Sequence, residues 1–350
     1  MAIYTRSPHY VSIGDSNISY ATLNIYIWEG DKVTDFDSTP KYTLKKFKIG
    51  TSTKVSFEVS ELIKDYIPMP FNGSFGGQVV WVKLSIEALD VNGANLDDEE
   101  YLDCAFDAYT YFQNPIVDDN ESILIDQRTV YLLDDVAYKL PIRTNLNPTV
   151  TVYLQSGTTT VYNFTSNNDS TEQVEYINTS GNNITKIAIE DDVRDLFVYA
   201  KTLQECKYKP HKITFVNRYG VLQEMFFFKK SVEKMTVKKE SYKANIFVGA
   251  TSFEPNAYDT TNHVNRDFNV LGNESISLSS GYLDEDYNEV FKQLMLSEKV
   301  WLTSDLKGTP KVIPVNVKTS NITYKTSLND RLVEYTIDFE NSFDTINNVR

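Results

Sequence analysis

At 350 residues the chain exceeds one ordinary core, and its 41% hydrophobic and 23% charged content excludes a disordered polymer. A formal net charge of −14 argues against a lasting grip on a nucleic-acid backbone, which depends on clustered Lys and Arg. With 23 Tyr and 19 Phe beside many Thr, Val and Ile, the composition favours strands over helices.

The first residues, MAIYTRSPHYVSI, hold no basic start followed by an apolar run. Neither a signal peptide nor a membrane-spanning segment is therefore expected. YVSIG and SYATLNIYIWEG read as strands; in the second, Leu23, Ile25 and Ile27 alternate with Asn24, Tyr26 and Trp28. KYTLKKFKI and KVSFEVS follow as strands, and Ser60 is placed to cap a brief helix, SELIKDYI, stopped by Pro68 and Pro70. VVWVKLSIEALD predicts a long strand, partnered by EYLDCAFDAYTYF across an acidic hairpin, VNGANLDDEE. The turn-rich run from Asn114-Pro115 to Asp118-Asp119-Asn120 marks a domain boundary, closing a first unit at 1–116.

The next block echoes the first. PTVTVYLQSG matches LNIYIWEG, and ITKIAIEDDVRDLF matches KVSFEVSELIKDYI, setting Phe57 on Ile187, Lys64 on Arg194 and Asp65 on Asp195. HKITFVNRYG then takes the place of VVWVKLSIEA. Frequent turns between short strands predict an antiparallel β-sandwich, of immunoglobulin or fibronectin kind, for each copy. The second copy is assigned to 117–235. Within it, 213–230 forms a hairpin whose turn, Asn217 to Gly220, requires a positive φ at the glycine. The apolar run Met225 to Phe228 implies cover on both faces. The Lys-rich stretch 229–243, interrupted by Glu233 and Glu240, reads as a salt-bridged outer strand, and 251–270 as a loop or interface arm.

Residues 236–350 predict an α+β unit with one main helix. Ile276 and Leu278 alternate with polar neighbours, and then the period changes. Tyr287, Val290, Phe291 and Leu294 make the apolar stripe of a helix over 284–297. Asp284, Glu285 and Asp286 stand where the dipole of that helix is positive. KVWLTS, KVIPVNVKTS, NITYKT and RLVEYTIDFE return to strands. In the last, Val333, Tyr335, Ile337 and Phe339 face inward while Leu332, Glu334, Thr336, Asp338 and Glu340 face outward. The face of the helix away from its sheet carries Asp286, Glu289, Lys292 and Gln293, with Glu298 just beyond. These five residues are suited to a polar, specific contact with a neighbouring subunit, and they form the candidate assembly interface.

Catalytic patterns are sought without success. His9, His211 and His263 have no HExxH spacing or nucleophile beside them and read as surface or edge-strand residues. Asp97, Asp98, Glu99 and Glu100 lack the spaced ligands of a calcium loop and read as a solvated hairpin tip. Cys104 and Cys206, far apart, read as free thiols. Tyr109, Tyr111 and Phe112, like Phe226 to Phe228, read as core or protein interface in preference to sugar-stacking rings. No cofactor, metal or nucleotide is expected.

Six stretches in order resemble the structural tail proteins of Bacteroidetes-infecting tailed phages, including the crAss-like group. They are RSPHYVSI (6–13), LNIYIWEG (23–30), FEVSELIKDYI (57–67), KITFVNRYGVLQEMFFFKK (212–230), LMLSEKVWL (294–302) and TYKTSLNDRLVEYTIDFE (323–340). The resemblance implies a non-enzymatic virion protein, assembled in the host cytoplasm into a homo-oligomeric ring or hub of the tail. Its partners would be copies of itself and other tail proteins or fibres, with no sequence-specific nucleic acid and no membrane insertion. The alternative reading is a carbohydrate-binding or adhesin-like β-sandwich protein.

Overall fold

The structure is a computed structural model. It describes residues 2–76, 79–114, 122–144, 147–164, 174–179, 184–191, 193–203, 207–244, 261–324 and 332–346. It is mainly β, as composition predicts, with two helices among the described residues.

The first unit contains β1 (Ile3–Tyr4), β2 (Tyr10–Gly14), β3 (Tyr20–Trp28), β4 (Tyr42–Phe47), β5 (Lys54–Glu58), β6 (Val79–Leu89) and β7 (Asn95–Phe106). Its five-stranded sheet runs β1-β7-β6-β3-β4, and β2 pairs with β5 as the opposite layer. Leu23, Ile25, Leu84 and Ile86 from one sheet meet Val11, Ile13, Val55 and Phe57 from the other in one core. Alternation along β3 puts every second side chain there.

The second unit contains β8 (Thr129–Leu133), β9 (Lys139–Arg143), β10 (Thr149–Leu154), β11 (Thr159–Asn163), β12 (Val174–Asn178), β13 (Ile184–Glu190) and β14 (Asp195–Leu203). Its sheets run β8-β14-β13-β10-β11 and β9-β12. This is the strand order of the first unit, element for element. Even the single parallel pair recurs, β1 beside β7 and β8 beside β14. The two units thus share one topology, with a parallel edge pair that local alternation does not announce.

The residue correspondence expected from sequence changes, however. β3 and β10 are equivalent, as the match of LNIYIWEG to PTVTVYLQSG requires. KVSFE is β5, whose counterpart is β12, whereas ITKIAIE is β13, whose counterpart is β6. Asp65 follows the short helix α1 (Ser60–Lys64), while Asp195 opens a strand, so the pair is not equivalent. Ile- and Val-rich strands look alike locally, and only long-range pairing decides their places. Ser60 also lies inside α1 and not at its cap, its hydroxyl bonded to Glu58.

The third unit begins earlier than position 236. HKITFV is β15 (His211–Val216), which pairs with β16 (Leu222–Phe227) on one side and β20 (Val300–Ser304) on the other. The sheet is completed by β17 (Ser231–Lys243), β18 (Asn265–Ser279), β21 (Lys311–Val317) and β23 (Thr336–Asn341), in the order β16-β15-β20-β21-β23-β18-β17. β19 (Leu283–Asp284) and β22 (Leu332–Val333) form a small pair beside it. The boundary at 235 therefore moves to the connection before His211. His211 is itself buried inside this sheet and is no surface residue. The boundary at 116, like 251–260 and Cys206, falls outside the described residues.

The helix α2 (Tyr287–Leu296) buries Tyr287, Val290, Phe291 and Leu294, the stripe its spacing dictates. Phe291 meets Phe227 and Tyr335, and all six residues of β16 are buried. The inward and outward sides of 332–340 also fall as alternation requires, with Val333, Tyr335, Ile337 and Phe339 buried. One continuous core joins the second and third units, with Phe226 beside Tyr138 and Tyr287 beside Tyr131. Trp301, Val216 and Leu222 of the third unit enter the core of the first.

The turn between β15 and β16 lies against the first unit. Gly220 has φ +75°, and a Cβ there would meet backbone atoms of Asp107 and Ala108 at 2.8–2.9 Å. Gly220→Ala is expected to cost about 2 kcal/mol or more, from strain and from separation of the two units. The thermal midpoint checks it, and an unchanged midpoint would show that the junction yields freely.

Candidate assembly surfaces

Of the predicted assembly face of α2, Gln293 alone is buried. Gln293 is 1% exposed. Its carbonyl oxygen accepts from the Arg218 backbone N–H at 3.2 Å, and its amide donates to Asp126. Asp126 also takes the Arg218 guanidinium at 2.6 Å and the Tyr219 hydroxyl at 2.9 Å. Gln293 thus pins the helix to the β15–β16 turn and to the segment entering the second sandwich. It is withdrawn from the assembly face.

Glu289 accepts from the hydroxyl of Tyr111, and the Lys292 ammonium stands 3.5 Å above the Tyr111 ring. Burial, and next the Glu289 carboxylate, push the Tyr111 phenol well above its ordinary value, so it remains a donor. Glu298 reaches Arg6 at 3.4 Å and Lys64 at 3.2 Å, both from the first unit. Of the five predicted residues, Asp286 and Glu298 are exposed and Glu289 and Lys292 are half-buried. Glu289, Lys292 and Glu298 clasp the first unit to the third. A cavity of about 580 Å³ beside this clasp is lined by Arg6, Glu58, Lys64 and Glu298 among others.

Asp284, expected to serve the helix dipole, instead meets Lys201 of the second sandwich at 2.8 Å. Burial works against its charge, but the hydrogen bond from Lys201 holds the carboxyl below its ordinary value. Every unit is therefore tied to α2 or to its approach.

The surface left uncovered lies elsewhere. β17 and β18 form a long antiparallel ribbon, paired from Ser231 with Leu278 out to Lys243 with Asn265, with a bulge between Lys238 and Glu240. β23 lies beside β18 only over Ser275–Ser279, and the Thr345 N–H adds one bond to the Gly272 carbonyl. Beyond that point, among the described residues, the ribbon has two strands whose residues are mostly exposed. Thirteen residues of β17 extend roughly 40 Å at strand rise. Along it Val232, Met235 and Val237 are 50–55% exposed, and Tyr242 packs edge-on to Phe268 across the pair. A two-stranded ribbon of this kind is marginal alone in water.

Sequence reasoning identified β17 as an outer strand, and the ion pair of Lys239 with Asp267 at 2.6 Å fits that reading. It assigned 265–270 to a loop or arm, and these residues are strand. β17, and β18 before Gly272, show no clean one-sided alternation, because neither face is buried there; Ile276 and Leu278 alternate where β18 enters the core. The signal available was the pairing of Val, Met and Tyr with a second run, NRDFNVLGNESISLS, of matching length.

The acidic run Asp97 to Glu100 lies on β7, where Asp98 and Glu100 oppose Glu87 and Ser85 and the alternate residues point to the other face. The carboxylates diverge, and among the described residues no group of three or more His, Cys, Asp and Glu is gathered to hold a metal ion. Among the described residues, no helix is long and apolar enough to cross a membrane. No protein-family model matches the chain, and no curated protein matches it.

Proposed function

We propose that the chain is a non-enzymatic structural subunit of a phage tail, a component of a ring or hub that docks neighbouring tail proteins or fibres. The observation that carries this reading is the β17–β18 ribbon, projecting with exposed apolar side chains from a body whose three units are tied together. A rigid body with one long uncovered ribbon suits a part that acts by being built in. The six stretches that resemble tail proteins place matching residues in the first and third units, the two that α2 clasps together. Assembly in the host cytoplasm and location in the virion follow from the same reading.

The test is where the chain ends up. An antibody against the purified chain should decorate the tail of purified particles of the virus that encodes it. Particles that carry none of the chain, while it accumulates free in infected cells, would overturn the reading.

A further inference from the structure

Among the described residues, two long strands, β17 and β7, have a strongly charged edge with no strand beside it, and the two carry opposite charge; β18 is also open over Asn265–Leu271, where Arg266 and Asp267 balance. β17 ends the seven-stranded sheet, and among the described residues no strand lies along its outer edge over Ser231–Lys243. It carries Lys234, Lys238, Lys239 and Lys243 against two carboxylates, Glu233 and Glu240. In the first sandwich β1 covers β7 only at Ala105 and Phe106, leaving the edge of Asn95–Leu102 without a partner strand among the described residues. That stretch holds Asp97, Asp98, Glu99 and Glu100 and no cation. Both edges also expose apolar side chains, Tyr101 and Leu102 on β7 and Val232, Met235 and Val237 on β17.

An open edge is a template for another strand, and natural sheets blunt such edges with charge of one sign so that like edges repel. Here the rule acts with a selective outcome. A β17 edge repels a second β17, and a β7 edge repels a second β7. A β17 edge and a β7 edge attract, and pairing them places Lys opposite Asp or Glu across the new ladder.

We propose that β17 of one copy adds to the open edge of β7 of a second copy, extending the five-stranded sheet of its first sandwich by one strand. The partner is a second copy of this chain, and main-chain hydrogen bonds supply the grip while charge selects the edge. The contact joins two different patches, so it is head-to-tail. It closes into a ring if the rotation between copies allows and otherwise continues as a filament. The contact rests on the reading of the chain as an assembly subunit.

The experiment uses the full chain and measures mass against concentration by sedimentation velocity. The wild-type chain is expected to self-associate, more weakly as salt rises. Two variants reverse one edge each: Lys234→Glu with Lys238→Glu and Lys239→Glu, or Asp97→Lys with Asp98→Lys and Glu100→Lys. All six positions are exposed, so circular dichroism should match the wild type. Each variant should associate about a hundredfold more weakly, and a chain carrying both reversals should recover.

Hydrogen exchange reads the ladder itself, since amides of 95–102 and 231–243 should slow together on association. A wild-type chain that stays monomeric overturns the proposal. So does association unchanged by either reversal, or a doubly reversed chain that folds and stays apart. The two readings fail separately. A monomeric chain found in the tail removes this contact alone, and a self-associating chain absent from particles removes the tail reading alone.

Discussion

Phe291→Ala is expected to lower the stability of the third unit by about 3–5 kcal/mol, the range for removing a buried aromatic ring. Phe291 is fully buried on α2, with ring centroids 4.7 Å from Tyr335 and 6.3 Å from Phe227, and Phe227 in turn lies 5.9 Å from Phe339. Its ring therefore links the helix to β16 and to the segment between β22 and β23, and through Phe227 to β23. Because one core runs into the second sandwich, the loss should appear as earlier unfolding of both units. Urea unfolding followed by circular dichroism checks this. A cost below about 1 kcal/mol would mean that α2 is loosely seated, against the packing just described.

Lys212→Met is expected to cost about 3–5 kcal/mol at neutral pH, because it leaves a buried carboxylate without its cation. Glu224 on β16 has a side chain 0% exposed and is ion-paired with Lys212 on β15. The backbone N–H of Lys139, from the second sandwich, donates to the same carboxylate at 2.7 Å. Burial pushes the Glu224 carboxyl above its ordinary value of 4.5, with Lys212 opposing the rise. A raised carboxyl means that the folded state holds the proton more tightly than the unfolded state. Stability from this group is thus greatest below about pH 4.5 and falls as pH rises towards the folded value, then levels.

Removing Lys212 raises the folded value further and extends that fall upward. The cost should accordingly shrink as the pH is lowered and Glu224 protonates. Unfolding measured across the acid range decides the matter, and a cost independent of pH would show that the charge of Glu224 is not what Lys212 neutralises. Replacing both residues with apolar ones of similar size, Lys212→Met with Glu224→Leu, should recover much of the loss.

Much of this protein is legible residue by residue. The stripe Tyr287, Val290, Phe291 and Leu294 specified α2 and its buried face, since a 3.6-residue period leaves few other solutions. Val333, Tyr335, Ile337 and Phe339 specified an inward face, and Gly220 its positive φ, through sterics that act within a few residues. The likeness of LNIYIWEG and PTVTVYLQSG pointed to two similar units, and the strand orders agree on that.

The tertiary structure alone decided which strand lies beside which. Alternation states that a strand has one buried face, but KVSFE, ITKIAIE and HKITFV state it in nearly the same terms. Their places in β5, β13 and β15 are set by partners far along the chain. The fate of Gln293 has the same origin. A glutamine opposite an apolar stripe reads as surface, and it is buried because Arg218 and Asp126, separated from it by 75 and 167 residues, satisfy its amide. The outer ribbon is the converse case, where β17 and the first half of β18 have no buried face to impose alternation and each supplies the other with a ladder. Periodicity is local chemistry and the sequence carries it openly; pairing and the burial of polar groups depend on what the fold brings alongside.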